Sequence, residues 1–164
     1  MIEIRRAETA DHEKIVRLWH QGWHDAHAAL VPSEVLAFRT KDHFALWLKG
    51  AQDAFYVATN DAELLGFVSI KGAEVVKLYI GKHNRGTGVA HALLSFAEHL
   101  LRDEGISKAE LLCTAGNIRA ERFYQREGWS LSHSFEDALW VPDGVGRKFI
   151  VLTHCFQKDL TPIA

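Results

Sequence analysis

Along this chain the spacing of apolar residues switches repeatedly between a period of two and a period near four, and those switches mark out its elements. Ile2 to Arg6 alternates as a strand does. Ile15, Leu18, Trp19, Trp23 and Ala26 then fall on one stripe of a helix. Thr9 is its expected cap, and Asp11 and Glu13 suit the positive end of its dipole. Pro32-Ser33 breaks the pattern, and a second helix is expected from about Ser33 to Leu48. Two strands follow, Phe55–Thr59 and Leu64–Ile70, joined through Asn60-Asp61-Ala62-Glu63 as a hairpin, and then a longer strand over Glu74–Ile80. Val89, Leu93, Phe96, Ala97, Leu100 and Leu101 define the strongest amphipathic helix, with Gly105 where it should stop. Leu111–Thr114 reads as a strand and Asn117–Glu127 as a short helix closed by Gly128. Strands near Trp129–Ser134 and Lys148–Phe156 end the pattern, joined by a loop holding Trp140, Pro142, Gly144 and Gly146. The order β-α-α-β-β-β-α-β-α-β-β predicts an α+β fold: a mixed sheet with helices on both faces.

Composition narrows the function more by exclusion than by suggestion. The 164 residues are 48% hydrophobic and 24% charged, ordinary values for a globular chain. No repeat, low-complexity stretch or linker divides them, so one domain over 1–164 is expected. The formal net charge is −2 with both signs interspersed, unlike the basic face of a nucleic-acid binder. No apolar run approaches the roughly 18 residues of a membrane span. The start, Met1-Ile2-Glu3-Ile4-Arg5-Arg6, reads as a charged strand and not as a signal peptide, so a cytoplasmic location is expected. Cys113 and Cys155 lie in apolar runs and read as small core residues, without disulfide or metal spacing.

Candidate chemistry concentrates after the third strand, in Glu74 to Ala90. There a strand runs into a glycine-bearing turn, Arg85-Gly86-Thr87-Gly88, that opens directly onto the strong helix. Gly86 and Gly88 lack Cβ atoms, so the chain can curl tightly and bring backbone N–H groups close to a ligand. The first N–H groups of a helix have no partner within it, and its dipole favours an anion there, so the turn suits a pyrophosphate. A Walker loop would end in Gly-Lys-Ser/Thr, but Gly88-Val89-Ala90 stands here. The dinucleotide fingerprint would need a third glycine where His91 stands. A purely structural turn remains the alternative for the loop taken alone.

The second segment, Asn117 to Trp129, follows a strand some way after the loop. Together the two blocks resemble the acetyl-CoA signature of the GNAT superfamily of N-acetyltransferases. Arg85-Gly86-Thr87-Gly88-Val89-Ala90 matches the pattern Gln/Arg-x-x-Gly-x-Gly/Ala at every fixed position, and the second block matches Asn-x-x-Ala-x-x-Phe-Tyr-x-x-x-Gly-Phe/Trp without departure. The first fifty residues carry little of the resemblance.

The resemblance implies a mostly antiparallel sheet of about seven strands with about four helices, and acetyl-CoA as cosubstrate without a metal. The strand before the loop would splay from its neighbour, so that backbone over Leu78, Tyr79 and Ile80 meets the pantetheine arm and one amide polarises the thioester. The amides from Arg85 through Gly86, Thr87, Gly88 and Val89 to Ala90 would hold the pyrophosphate. Asn117 would contact the pantetheine or cap its own helix. Tyr124 would protonate the departing thiolate, since a phenol with a pKa of about 10 stays protonated at neutral pH. Glu74 is the candidate base, by likeness to the histone acetyltransferase branch. The acceptor would lie near Trp23, His24, His27 and Trp140. His20, His24 and His27 have a spacing that could hold a metal, but no carboxylate or cysteine completes a ligand set, so none is expected. The implied function is direct transfer of an acetyl group to a primary amine of a small molecule or peptide. The alternative is a non-catalytic acyl-CoA sensor or interaction domain on the same fold. Homodimers are common among such proteins, so the resemblance also makes a homodimer an expectation here.

Overall fold

The computed structural model describes residues 1–160; the last four residues of the expected 1–164 domain lie outside that range. Seven strands form one sheet in the order β1-β2-β3-β4-β5-β7-β6. They are β1 (Glu3–Arg6), β2 (Ala54–Asn60), β3 (Glu63–Lys71), β4 (Glu74–Ile80), β5 (Lys108–Thr114), β6 (Ser130–Ala138) and β7 (Ile150–Asp159). Every neighbouring pair is antiparallel except β4 and β5. Four α-helices accompany them: α1 (His12–His27), α2 (Lys41–Gly50), α3 (Val89–Asp103) and α4 (Ile118–Arg126). The expected α+β order is therefore present, with short 3-10 turns added before α1, α2 and α3.

Alternation along the strands sends side chains to two cores. One lies under α3, where Leu93, Leu94, Ala97 and Leu101 bury themselves against Val68, Val75 and Leu111. The other lies under α1 and α2, where Trp19 and Phe44 meet Val57 and Phe67. The hairpin between β2 and β3 turns at Asp61, whose φ of 54° is a left-handed conformation that aspartate tolerates. Helix α3 stops as its glycine predicts: Gly105 has φ +83°, and Ile106 N donates to Leu101 O at 3.0 Å.

Two local expectations are corrected. Thr9 does not cap α1; it starts a 3-10 turn, and Asp11 organises the entry instead. The Asp11 carboxylate accepts from both Arg5 Nη1 and Nη2 at 2.8 and 3.0 Å and from Glu8 N at 2.8 Å. A carboxylate closing β1 onto the helix satisfies more donors than a single hydroxyl. The helix expected over 33–48 is two pieces: a 3-10 turn over Ser33–Phe38, then α2, with Arg39 at φ −129° between them. Thr40 restarts the chain as a true cap, its Oγ1 accepting from His43 N at 3.3 Å. Among the described residues no helix is long and apolar enough to cross a membrane.

Candidate active site

Strands β4 and β5 pair only at Glu74–Glu110 and Val75–Leu111, then part. Beyond Val75, β4 stays bonded to β3 alone and β5 to β7 alone. The β3–β4 register, with Gly81 N donating to Leu65 O at 2.9 Å, directs the amide of Tyr79 toward β3. By alternation the amides of Leu78 and Ile80 face the opening between the two strands. Of the three consecutive residues, Tyr79 therefore differs: its backbone is committed to the sheet, while its ring packs on Phe67 at 5.7 Å in the α1–α2 core.

The opening is a cleft of about 460 Å³. Val76, Leu78 and Ile80 form one wall, Leu112 and Cys113 another, and Asn117, Phe123 and Tyr124 of α4 close one side. Gly22, Ala26 and His27 of α1 approach from the opposite face of the sheet. A larger groove of about 850 Å³ lies between α1, α2 and β2, but none of the motif residues borders it. At the mouth of the cleft stand Arg85, Gly86, Gly88 and Ala90. Gly86 and Gly88 take φ of +78° and +90°, where a side chain is strained, and an added Cβ would project into open space at both. Among the described residues no acceptor is bonded to the backbone amides from Arg85 to Ala90; the first bond of the helix is Ala92 N to Gly88 O at 3.0 Å. The side chain of Thr87 turns back to bond Asn84 O, and that of Val89 is buried in the core, so these two present only backbone.

Tyr124 reaches the cleft between Phe123 and Phe156, with ring centroids at 5.5 and 6.0 Å. Burial pushes its phenol well above the ordinary tyrosine range, so it is protonated at any physiological pH. Asn117 does not cap α4 with its side chain; Glu121 reaches back instead, its Oε2 accepting from Gly116 N at 3.3 Å. The Asn117 amide thus remains available on the cleft wall.

Other predicted residues lie elsewhere. Glu74 is at the closed apex of the cleft, not on its wall, and its carboxyl is raised above the usual range by burial and then by Glu110 across the strand pair. Trp23 is a core residue. His24 bonds Arg39 O through Nε2 at 2.8 Å, and Trp140 stacks on Trp47 at 4.7 Å. Only His27 of the expected acceptor residues lines the cleft; burial lowers its imidazole to about 4, so it is neutral at pH 7. The rings of His20 and His24 lie 4.7 Å apart, tilted at 60°, and among the described residues no group of three or more His, Cys, Asp or Glu is placed to hold a metal.

Sequence reasoning missed two polar features. Lys77 and Asp53 form an ion pair at 2.7 Å with side chains only 9% and 6% exposed, boxed by the rings of Trp19, Trp47 and Phe55. The other is Arg39, buried among tryptophans from three separate segments. Neither has a local sequence signal, because each partner set comes together only on folding.

The model of the acetyltransferase (GNAT) domain matches residues 32–138. An aminoalkylphosphonate N-acetyltransferase of Salmonella typhimurium is 26% identical over 141 residues, covering 80% of this chain and 86% of its own length. An uncharacterized N-acetyltransferase of Archaeoglobus fulgidus is 28% identical over 75% of this chain and 89% of its own length. YxbD of Bacillus subtilis is 30% identical over 91 residues, and there this chain spans only 56% of the relative's length. Among solved structures, the PaiA N-acetyltransferase of Thermoplasma acidophilum, in complex with coenzyme A, superposes with a TM-score of 0.68 at 22% identity, over 97% of this chain and 99% of that one. YncA of Salmonella typhimurium, with its cofactor acetyl-CoA, gives 0.69 at 18% identity, over 100% and 96%. These two likenesses establish the fold. Since the matched model spans more than half of the chain and takes in both the parted strands and the glycine turn, the chain belongs to the GNAT acetyltransferases, the family whose acyl donor is acetyl-coenzyme A.

Proposed function

We propose that this chain transfers the acetyl group of acetyl-CoA directly to the primary amine of a small molecule or peptide, within one ternary complex. The observation that carries this reading is the row of unbonded amides from Arg85 to Ala90 at the mouth of a cleft that ends beside Tyr124. The pyrophosphate lies on those amides, and the pantetheine arm bonds the amides of Leu78 and Ile80, taking the place β5 would have held. The amine nitrogen attacks the thioester carbon from the α1 face. As the C–O bond gains charge, an amide of β4 donates to the oxygen. The C–S bond then breaks, and Tyr124 delivers its proton to the sulfur. Glu74 receives the amine's proton through water, because it stands behind the apex and not on the wall; burial and then Glu110 raise its carboxyl above the usual range, which makes it a stronger proton acceptor. Cys113 lines the cleft, but burial pushes its thiol up to about 12, so it supplies no thiolate for a covalent acyl-enzyme.

A small acceptor is favoured by the walls available to it, Gly22, Ala26 and His27. The name of the Salmonella typhimurium relative, an enzyme acting on aminoalkylphosphonates, supports the same scale of substrate. The deciding assay is release of free coenzyme A thiol from acetyl-CoA with a panel of amines. Amine-dependent release is the expected result. A chain that binds coenzyme A tightly yet releases no thiol with any amine is a sensor, and the reading is then wrong.

A further inference from the structure

Arg39 is 1% exposed, yet its guanidinium has no carboxylate partner among the described residues. Nη1 donates to Phe38 O at 3.0 Å, while Nε and Nη2 are buried without any hydrogen-bond partner. Arginine is almost never fully buried unless paired, because stripping water from an unpaired cation costs several kcal/mol. Apart from that one bond the cation is held by aromatic faces: Trp23 at 4.8 Å, Trp47 at 5.1 Å and Trp140 at 5.8 Å from its carbon. Each such contact returns only about 0.5–2 kcal/mol and leaves the two free N–H edges unserved. Burial lowers the group to about 10, so it still carries its charge at pH 7.

The position of this unpaired fork matters. Trp23 lies 5.5 Å from the ring of His27, which lines the cleft, so Arg39 sits one aromatic ring behind the wall where the acceptor approaches. Two walls of its cage come from α1 and α2. The third, Trp140, comes from the loop joining β6 and β7 and is held over the cage by stacking on Trp47. That loop contains Gly144 and Gly146, and an exposed ion pair, Arg147 to Glu34, ties it to the turn before α2. A swing of Trp140 would open the cage without disturbing either helix.

We propose that Arg39 is the specificity residue of the acceptor site, binding an oxyanion (a carboxylate or phosphonate) on the same small molecule whose amine is acetylated. This rests on the acetyltransferase reading above and deepens it. Nε and Nη2 form one edge of a planar fork that matches two oxygens of such a group, which a lysine could not reproduce. Trp140 covers the fork when no anion is bound and moves aside when one enters.

The test separates binding from turnover. Tryptophan fluorescence, with Trp23, Trp47 and Trp140 as reporters, is titrated with glycine, β-alanine and 2-aminoethylphosphonate, and in parallel with methylamine and ethylamine, in the presence of coenzyme A. The wild-type chain should give a saturable change with the anionic amines at least about 100-fold tighter than with the neutral ones, as expected for a desolvated charge pair. Arg39→Met should lose that preference, and Arg39→Lys should keep less than about a tenth of the affinity. Arg39→Met should also keep or raise Tm, since it removes an unpaired buried cation; a merely structural arginine would make Tm fall. Should Arg39→Met fail to fold, Trp140→Ala provides the second reading, with altered anion affinity and a folded cage. Equal responses to neutral and anionic amines, no response to any anionic amine, or an unchanged preference in Arg39→Met overturns the assignment. Anion binding without thiol release leaves the Arg39 assignment standing and sinks the acetyltransferase reading. Turnover of neutral amines alone does the reverse.

Discussion

Gly88 and Gly105 stand at the two ends of one helix in nearly the same backbone state, φ +90° and +83°, and a Cβ would meet nothing within 4 Å at either. Gly88→Ala and Gly105→Ala therefore form a matched pair. An L-residue held in the left-handed region costs roughly 1–2 kcal/mol. For a domain of this size that lowers Tm by about 2–8 °C where the residue is held in that state, as in Gly105→Ala, while Gly88→Ala should lower it less. Only Gly88 borders the cleft. There the unliganded loop relaxes out of the strained state, and coenzyme A must reimpose it, which by itself weakens binding about 5–30-fold. The methyl also projects into the open space in front of the turn, where the proposed pyrophosphate lies. Losing two hydrogen bonds to a charged phosphate, at about 1.5–3 kcal/mol each, raises the penalty to 100-fold or more. Calorimetric titration with coenzyme A should give at least a ~10-fold weaker Kd for Gly88→Ala and a change within ~2-fold for Gly105→Ala. A folded Gly88→Ala chain that binds within ~3-fold of wild type would show that the pyrophosphate does not use this turn.

Tyr124→Phe should lower kcat about 100-fold while shifting the Kd for acetyl-CoA less than ~3-fold; turnover near wild type, followed by thiol release, removes the acid role. Glu74 carries a raised pKa, so kcat/KM should fall as pH drops through a value above the ordinary carboxylate range, where the protonated acid can no longer accept a proton. Glu74→Gln should flatten that limb of the pH profile, and a limb that survives unchanged assigns the base elsewhere. Asp53→Asn strands Lys77 as a buried cation and should cost about 3–5 kcal/mol in urea unfolding, whereas replacing both residues by Leu and Met should be nearly neutral. Equal losses in the single and double variants would contradict the desolvation argument.

Much of the local architecture was legible beforehand, and the reasons are particular. The bounds of β4 follow from the apolar positions Val75, Val76, Leu78, Tyr79 and Ile80 between Gly72 and Gly81. The start and stop of α3 follow from Gly88 and Gly105, whose conformations few other residues adopt. The break at Arg39 was not legible, because Leu36, Phe38 and Phe44 keep an apolar rhythm across it. What interrupts the helix is the Thr40 hydroxyl together with three tryptophans brought in from a distance. The positions of the acceptor-side residues were hidden for a related cause. Trp23, His24 and Trp140 do gather in one place, but around Arg39 and not on the cleft wall.

What this sequence determined by itself is short in range: the period of each segment, the residues able to turn with positive φ, and a row of amides left over where a helix begins. Those properties depend on neighbours a few positions away, so they can be read before folding. Which strands pair is a different matter, because it depends on total burial across the whole sheet. The tertiary structure alone decided that β7 would insert beside β5 and leave β6 at the edge, and that β4 and β5 would part after two residue pairs. It alone enclosed behind the cleft a guanidinium without a carboxylate partner among the described residues. The energies responsible are desolvation and long-range packing, which exist only once distant segments exclude water from one another.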